Sequence, residues 1–445
     1  MLSEPWSLDT RLVDRPKDLH MDRDSNEPLN ATPAPHRADI AIVGGGAAGL
    51  ATAIFCARLD STQSIVILDG ARKLGAKILV SGGGRCNVTN RRVSVKDFFG
   101  GNPNVIKRVL SALPVAKTIA FFESIGVTMY EEEGNGKLFP ETNKAATVLD
   151  ALVGEARRLN INMACSHRVT NINADGHGFA ITTDAGSVTA RKLVLATGGQ
   201  SLPKTGSDGF GFELARALGH TLVTRTPALD PLILAGDFHR QLSGISHPAT
   251  ISIKTAGAKP LRAQGELLWT HFGMSGPVAL DASRHWHRAQ VEGIDAQTSI
   301  SFLPAYEQAK LETWFLDFAH EHPKVQLVTA MARLLPNRIA HAILDVIGLD
   351  SAIQMAQLPK GVRRKVVSAL LDWPIEVVGG RGYKFAEATA GGVSLADVDP
   401  STLQSRKCPN LYFVGEILDV DGRIGGFNFQ WAWSSACVAG TALAK

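Results

Sequence analysis

The stretch Ile40-Ala41-Ile42-Val43-Gly44-Gly45-Gly46-Ala47-Ala48-Gly49, running on to Asp69, decides the fold. Ile40 to Val43 is a short apolar run that reads as a buried strand. A glycine turn and a helix of small residues (Leu50 to Leu59) follow, and then a second apolar strand, Ser64 to Leu68. G-x-G-x-x-G between two strands, with an acid about 20 residues beyond it, is a dinucleotide-binding fingerprint. Gly44 permits the tight turn, Gly46 lets the backbone approach a pyrophosphate, and Gly49 lets helix and strand pack closely. Ala47 and Ala48 open the helix, whose free N–H groups and partial positive charge face the phosphates. Asp69, followed by Gly70, accepts hydrogen bonds from a ribose 2′-hydroxyl, and its charge repels a 2′-phosphate.

A chain of 445 residues is too long for one ordinary core, so two domains are expected. With 45% hydrophobic and 20% charged residues it is a globular composition, and a net charge of +4 gives no ground for a dedicated nucleic-acid role. The cysteines (Cys56, Cys86, Cys165, Cys408, Cys437) are scattered and form no C-x-x-C. Neither a disulfide framework nor a metal site follows, and a reducing cytoplasm is expected. Ile40 to Ala57 is uncharged and long enough to suggest a membrane span, but it is the glycine fingerprint itself. Residues 1 to 36 are polar and rich in proline and charge, which reads as a disordered leader without a signal peptide; Met21 is a second candidate start.

Beyond Asp69 the chain carries Lys73, Gly75, Lys77 and then Ser81-Gly82-Gly83-Gly84-Arg85-Cys86-Asn87. Consecutive glycines let backbone N–H groups converge on a flat or anionic ligand, with Ser81, Arg85 and Asn87 as side-chain donors beside them. Arg85 would lower the pKa of Cys86 if that thiol were a redox group; packing as a small residue is the commoner fate. Pro103 to Ile125 reads as a helix, Val127 to Tyr130 and Lys137 to Phe139 as a hairpin, and Lys144 to Leu159 as a helix. A three-strand meander (Val169 to Ile172, Gly178 to Thr183, Ser187 to Ala190) then feeds a buried strand, Lys192 to Ala196, ending Thr197-Gly198-Gly199. In this order after the fingerprint, that ending is a second mark of FAD-binding oxidoreductases.

After the helix Gly209 to Leu218 the pattern turns to β as far as Leu303, then to helix from Pro304 to Trp373. His271-Phe272-Gly273-Met274-Ser275-Gly276-Pro277 lies in the β part, with Ser275 expected as N-cap and Pro277 in the first turn. His271 is a candidate proton donor, although a structural histidine is commoner. The chain then returns through Thr389-Ala390-Gly391-Gly392-Val393 to the strand Leu411 to Val414 and Gly415-Glu416, an acid placed to accept ribityl hydroxyls. Gly425-Gly426-Phe427-Asn428 opens a last helix whose N–H groups would face the flavin N1/O2 edge.

These residues together resemble the HI0933-like flavoproteins, also called aminoacetone-oxidase-like or BaiN-like. The likeness covers nearly all of residues 38–444, most specifically K-L-G-A-K-I-L-V-S-G-G-G-R-C-N-V-T-N and G-E-I-L-D-V-D-G-R-I-G-G-F-N-F-Q-W-A. It implies an α/β, two-dinucleotide-binding type FAD domain (37–220 and 386–445) carrying an inserted domain (221–385). The insert's barrel-like β part would be about 221–303 and 374–385, and its helical part about 304–373. Val169 joins the FAD-contacting positions on this likeness. Asp69 departs from the family's usual Glu, and Phe427 stands where Tyr is common. The expected activity is NAD(P)H-driven reduction of an electron-poor double bond in a small molecule, with Lys77, Arg85 and His271 near the reacting centre and no metal. No second G-x-G-x-x-G exists, so a nicotinamide would dock transiently. The alternatives are an amine or amino-ketone oxidase using O2, and a flavoprotein docking a macromolecule through Arg363-Arg364-Lys365. Oligomeric state is not legible.

Overall fold

The computed structural model describes residues 34–445 except 133, 256 and 258. The leader expectation therefore falls outside the described residues as far as residue 33. His36 is not loose: its carbonyl accepts from Thr189 N–H at 3.0 Å.

The fingerprint strand Arg37–Val43 sits in the middle of a parallel sheet, with Ile65–Leu68 and then Asn162–Ala164 on one side. Gly186–Leu195 and then Leu411–Phe413 lie on the other. Strands buried on both faces need apolar residues at every position, which is why Ile40, Ile42, Val66 and Ile67 are all fully buried. The helix Ala47–Leu59 packs against the final helix Phe427–Leu443. Their approach depends on Gly440, where a Cβ would lie 2.8 Å from Phe55 Cβ and 2.9 Å from Thr52 O.

Three local expectations change. The third meander strand and the buried strand after it are one strand, Gly186–Leu195, because no glycine or proline separates Ala190 from Lys192. Its first half pairs antiparallel with Phe179–Thr183, and Thr189 to Leu195 pair parallel with the fingerprint strand. The helix expected over Pro103 to Ile125 is two, Pro103–Ala112 and Val115–Ser124. Pro114 lacks an N–H and pushes Leu113 out of the helical region, so the break is its doing. Ser275 is not the N-cap: it belongs to the strand Gly273–Ser275, and Gly276, with φ +84°, caps the helix Pro277–Val291. That glycine is required, since a Cβ there would lie 2.8 Å from Glu266 O.

The inserted unit is built on a seven-stranded sheet whose end strands are Trp373–Ile375 and Val377–Gly380. Only Glu376 separates these two strands in the chain, so the sheet must curl until its edges meet, which makes it barrel-like. Trp269, Ile251, Ile300 and Phe302 fill the core it shares with the helices Gln308–Glu321, Asn337–Val346 and Lys360–Leu371. The chain enters this unit along Leu222–Ala228 and leaves along Ala388–Val393, and these two strands pair antiparallel with a register shift between Val223 and Thr226. The helix Pro277–Val291 lies across that ribbon at the junction, with Leu280 against Ala228, Ala388 and Ala390. Among the described residues no helix is long and apolar enough to cross a membrane.

Candidate functional site

The glycine turn shows which glycines serve the fold and which leave room. A Cβ on Gly49 would lie 1.9 Å from Gly44 O, and one on Gly44, at φ +105°, would lie 2.5 Å from Ala196 O. A Cβ on Gly46 would meet nothing within 4 Å. Gly46 is the N-cap of the first helix and no side chain caps that end, so its first N–H groups face open space. Asp69 accepts from Gly45 N–H at 2.7 Å and from Ala71 N–H at 2.7 Å, holding both turns together at the edge of this space. Burial pushes its carboxyl up, against those two N–H groups. Gly70 packs on Arg168, and Val169 is buried at the start of the neighbouring strand.

Beside the turn, residues distant in sequence form a closed polar knot. Lys77 Nζ donates to Glu416 Oε2 and to Ser201 Oγ, both at 2.7 Å. Ser201 Oγ donates to Glu416 Oε1 at 3.1 Å, and Thr389 N–H donates to the same oxygen at 2.8 Å. Short, charge-assisted contacts of this kind fix the Glu416 carboxylate tightly. Gly415, at φ +76°, carries Glu416 past the first helix, where a Cβ would lie 2.8 Å from Ala48 Cβ. Gly198 and Gly199 leave room for Ser207 and Thr389, and Thr197 turns its hydroxyl inward against Gly211. Ser201 carried no local signal in the sequence, and Thr389 stood in a quoted stretch without a role of its own, because a lone hydroxyl residue does not announce its partner.

The glycine-rich loop is a short helix (Ala76–Val80) followed by a tight turn in which Gly82, Gly83 and Gly84 all have positive φ and are exposed. Ser81 Oγ is occupied by Ile78 O at 2.7 Å. Arg85 is turned to the hairpin: it pairs with Glu132 at 2.9 Å and stacks 4.0 Å over the Phe139 ring. Cys86 takes the commoner of its two expected fates, packing as a small residue. Its side chain is fully buried and desolvation pushes its thiol up to about 12, so Arg85 does not activate it. Asn87, with its amide oriented to satisfy both ends, donates to Thr89 O at 2.8 Å and accepts from Gly426 N–H at 3.1 Å. It positions the start of the final helix.

That start is held from several sides. Gly426, at φ +91°, is the N-cap, and a Cβ there would strike Thr89 at 2.6 Å. Asn90 donates to Gly425 O at 3.0 Å, and Lys137 brings its stem to the same glycine. Asn428 bonds both backbone groups of Gly422, at 2.8 and 3.0 Å, and Phe427 is buried edge-on against Phe98. Gly422 O in turn accepts from Arg284 at 2.9 Å. Arg284, from the junction helix, is paired with buried Asp421, and its neighbour Asp281 accepts from Ile424 N–H at 2.8 Å and from Arg423 at 3.3 Å. The inserted unit therefore grips the loop that launches the final helix. Asp419 shares this pocket, and burial beside Asp421 lifts its carboxyl to about 6. His271 is exposed on a turn of the insert, edge-on to Phe272 at 5.2 Å; it makes no contact with Lys77 or Arg85.

A family model described as the HI0933-like protein Rossmann domain matches residues 38–442. The chain belongs to the HI0933-like family. The family is one of FAD-dependent oxidoreductases, and FAD is the cofactor it implies. A ribosomal RNA dihydrouridine synthase of Escherichia coli K12 is 34% identical over 402 residues, covering 90% of this chain and 96% of the relative. A 3-dehydro-bile acid delta(4,6)-reductase of Clostridium scindens is 31% identical over 406 residues, covering 91% and 99%. Among solved structures, an E. coli quinol fumarate reductase FrdA chain superposes with a TM-score of 0.50 at 17% identity, covering 92% of this chain and 70% of that one. That likeness concerns the fold alone.

The HI0933-like cleft suits FAD on its own geometry: an uncapped helix N-terminus beside an unobstructed glycine, a fixed carboxylate at Glu416, and a second uncapped helix N-terminus at Gly426. Glu416→Ala is expected to strip FAD during purification, because it removes the anchor of the Lys77–Ser201–Thr389 knot. Cys86→Ser should keep its flavin, since that thiol lies in the core. The ratio of flavin to protein absorbance compares them, and equal losses would overturn this map.

Proposed function

We propose that this HI0933-like protein reduces a carbon–carbon double bond conjugated to a carbonyl, with NAD(P)H as the source of electrons. What carries the reading is the chemistry that two differently named relatives have in common. A 3-dehydro-bile acid with delta(4,6) unsaturation and the uracil ring that becomes dihydrouridine both present an alkene polarised by a carbonyl. FAD supplies the hydride when bound. Of the chain's own residues, Gly44, Gly46 and Gly49 with Ala47 and Ala48 would seat the pyrophosphate, and Asp69 the ribose. Glu416, held by Lys77, would orient the ribityl chain. Gly425, Gly426 and the first N–H groups of the final helix would stabilise negative charge at the pyrimidine edge, with Lys137 adding a cation.

The acceptor has two readings. A small unsaturated ketone suits the bile-acid relative. Uridine in ribosomal RNA is favoured by the E. coli relative and by a second one from Haemophilus influenzae, 31% identical over 410 residues. Exposed Arg364 and Lys365 on the helical unit are the residues to test for RNA contact. Anaerobic mixing with NADH and then NADPH should bleach the flavin band within seconds. A steroid 4-en-3-one and ribosomal RNA transcribed in vitro should then compete to restore it. No bleaching by either nicotinamide would turn attention to amine oxidation with O2.

A further inference from the structure

Adding hydrogen across a conjugated double bond needs a hydride at the β-carbon and a proton at the α-carbon. The first comes from the cofactor; the second has to come from the protein or from solvent. Of the residues expected near the reacting centre, Lys77 is committed to Glu416 and Ser201, Arg85 faces the hairpin, and His271 stands exposed on a turn of the insert against Phe272.

Glu387 is placed differently. It lies between two fully packed alanines, Ala386 at 0% and Ala388 at 1% exposure, yet its own side chain is exposed. Its N–H bonds Leu229 O at 3.1 Å and so continues the ladder of the strand Ala388–Val393 by one residue. Alternation along a strand then fixes its direction. Ala388 and Ala390 face the junction helix, in contact with Leu280. Thr389 faces the opposite way, accepting from Gln200 and Ser201 N–H at 2.8 and 3.1 Å while its N–H holds Glu416. Glu387 shares the face of Thr389 and opens on the same cleft as the Lys77–Glu416 knot. Among the described residues no hydrogen bond or ion pair ties its carboxyl, in contrast to the carboxylates of Glu416, Asp69 and Asp281.

We propose that Glu387 is the proton donor to the α-carbon, an assignment that rests on the reductase reading. As hydride adds to the β-carbon, the alkene electron pair moves toward the carbonyl as an enolate. The Glu387 O–H bond then breaks, its proton forms the new C–H bond at the α-carbon, and the carboxylate is reprotonated from water. The two electrons come from NAD(P)H by way of the cofactor. The surroundings favour a carboxyl that holds its proton: although its tip is open to solvent, the protein mass around it desolvates the charged form and is the largest influence, raising its pKa, while Lys77 and Lys137 act the other way and Asp281 adds to the rise.

The test uses holoprotein reduced under anaerobic conditions and mixed with 2-cyclohexenone, a steroid 4-en-3-one, or ribosomal RNA transcribed in vitro. Reoxidation by wild type should slow as pH rises through the titration of Glu387. In D2O, one deuterium should appear at a single face of the α-carbon. Glu387→Gln should reoxidise about 100-fold or more slowly, a loss in the range for general acids, with a flat pH profile. Its flavin spectrum and FAD content should match wild type, because the side chain holds nothing in place. A variant within threefold of wild type that keeps the pH profile and the stereospecific deuterium overturns the assignment and leaves the reductase reading standing. A wild type that none of these acceptors reoxidises overturns both.

Discussion

Gly46→Ala is expected to fold like wild type and to lose FAD, whereas Gly49→Ala should lose both stability and FAD. The two positions are three residues apart in one turn, and both substitutions add a single methyl group. At Gly46 that methyl meets no protein atom within 4 Å, and the backbone conformation, φ −83° and ψ −166°, suits alanine. Its only adversary would be a ligand seated at the helix N-terminus. At Gly49 the methyl lies 1.9 Å from Gly44 O and 3.3 Å from Ala196 Cβ, so the helix must lift from the strand. Overpacking of this kind costs about 1–3 kcal/mol, and more where the obstacle is backbone. Urea melts of the apo forms and FAD titrations of each separate the effects. A loss of FAD affinity of about 100-fold or more is expected for Gly46→Ala, equivalent to about 2.7 kcal/mol. Retained affinity there would mean that the pyrophosphate does not approach Gly46.

The second large effect belongs to the junction. Arg284 is 3% exposed, pairs with Asp421, and also donates to Gly422 O. Arg284→Ala leaves a buried carboxylate without its partner, which costs about 3–5 kcal/mol. The loss should be smaller at acid than at neutral pH. Burial already pushes the Asp421 carboxyl up, and removing the guanidinium pushes it further, so a proton taken up at low pH relieves the stranded charge. Arg284→Met combined with Asp421→Asn should recover most of the stability, and denaturation of wild type, Arg284→Met, Asp421→Asn and the double variant gives the coupling. The single variant should also release FAD, because Gly422 is bonded by Asn428 in the first turn of the final helix. If Arg284→Ala unfolds at the wild-type urea midpoint, the buried pair is not a stabilising contact.

What the sequence disclosed and what it hid divide along a physical line. The fingerprint was legible because its chemistry is local: strand, turn and helix N-terminus follow one another, and Gly49 answers Gly44 within the turn while Gly44 answers Ala196 at the end of the adjacent strand. Glu416 and the Gly425–Gly426 turn were legible because they stand in long, specific motifs. Ser201, Thr389, Lys137 and Glu387 carried no such role in the sequence, since each gains its meaning mainly from partners far away along the chain. A signal for Glu387 does exist: it is the one charged residue directly ahead of a strand otherwise made of small residues and threonine. Arg85 misled for the opposite reason, because proximity in sequence to Cys86 says nothing about where a long side chain points. The break at Pro114 is local as well, since a proline disfavours helix at the residue before it.

The two strands that connect the inserted unit to the rest are paired with each other, and this restricts how the cleft can open. A single-strand connection swings freely; a hydrogen-bonded ribbon resists bending across its width and yields more readily to torsion. Its compliance concentrates where the ladder is interrupted, between Val223 and Thr226, opposite Gly391, whose missing side chain leaves space for Thr224 O. Admission of a substrate would therefore be a small rotation about that interruption, with the rest of the ribbon moving as a rigid strut.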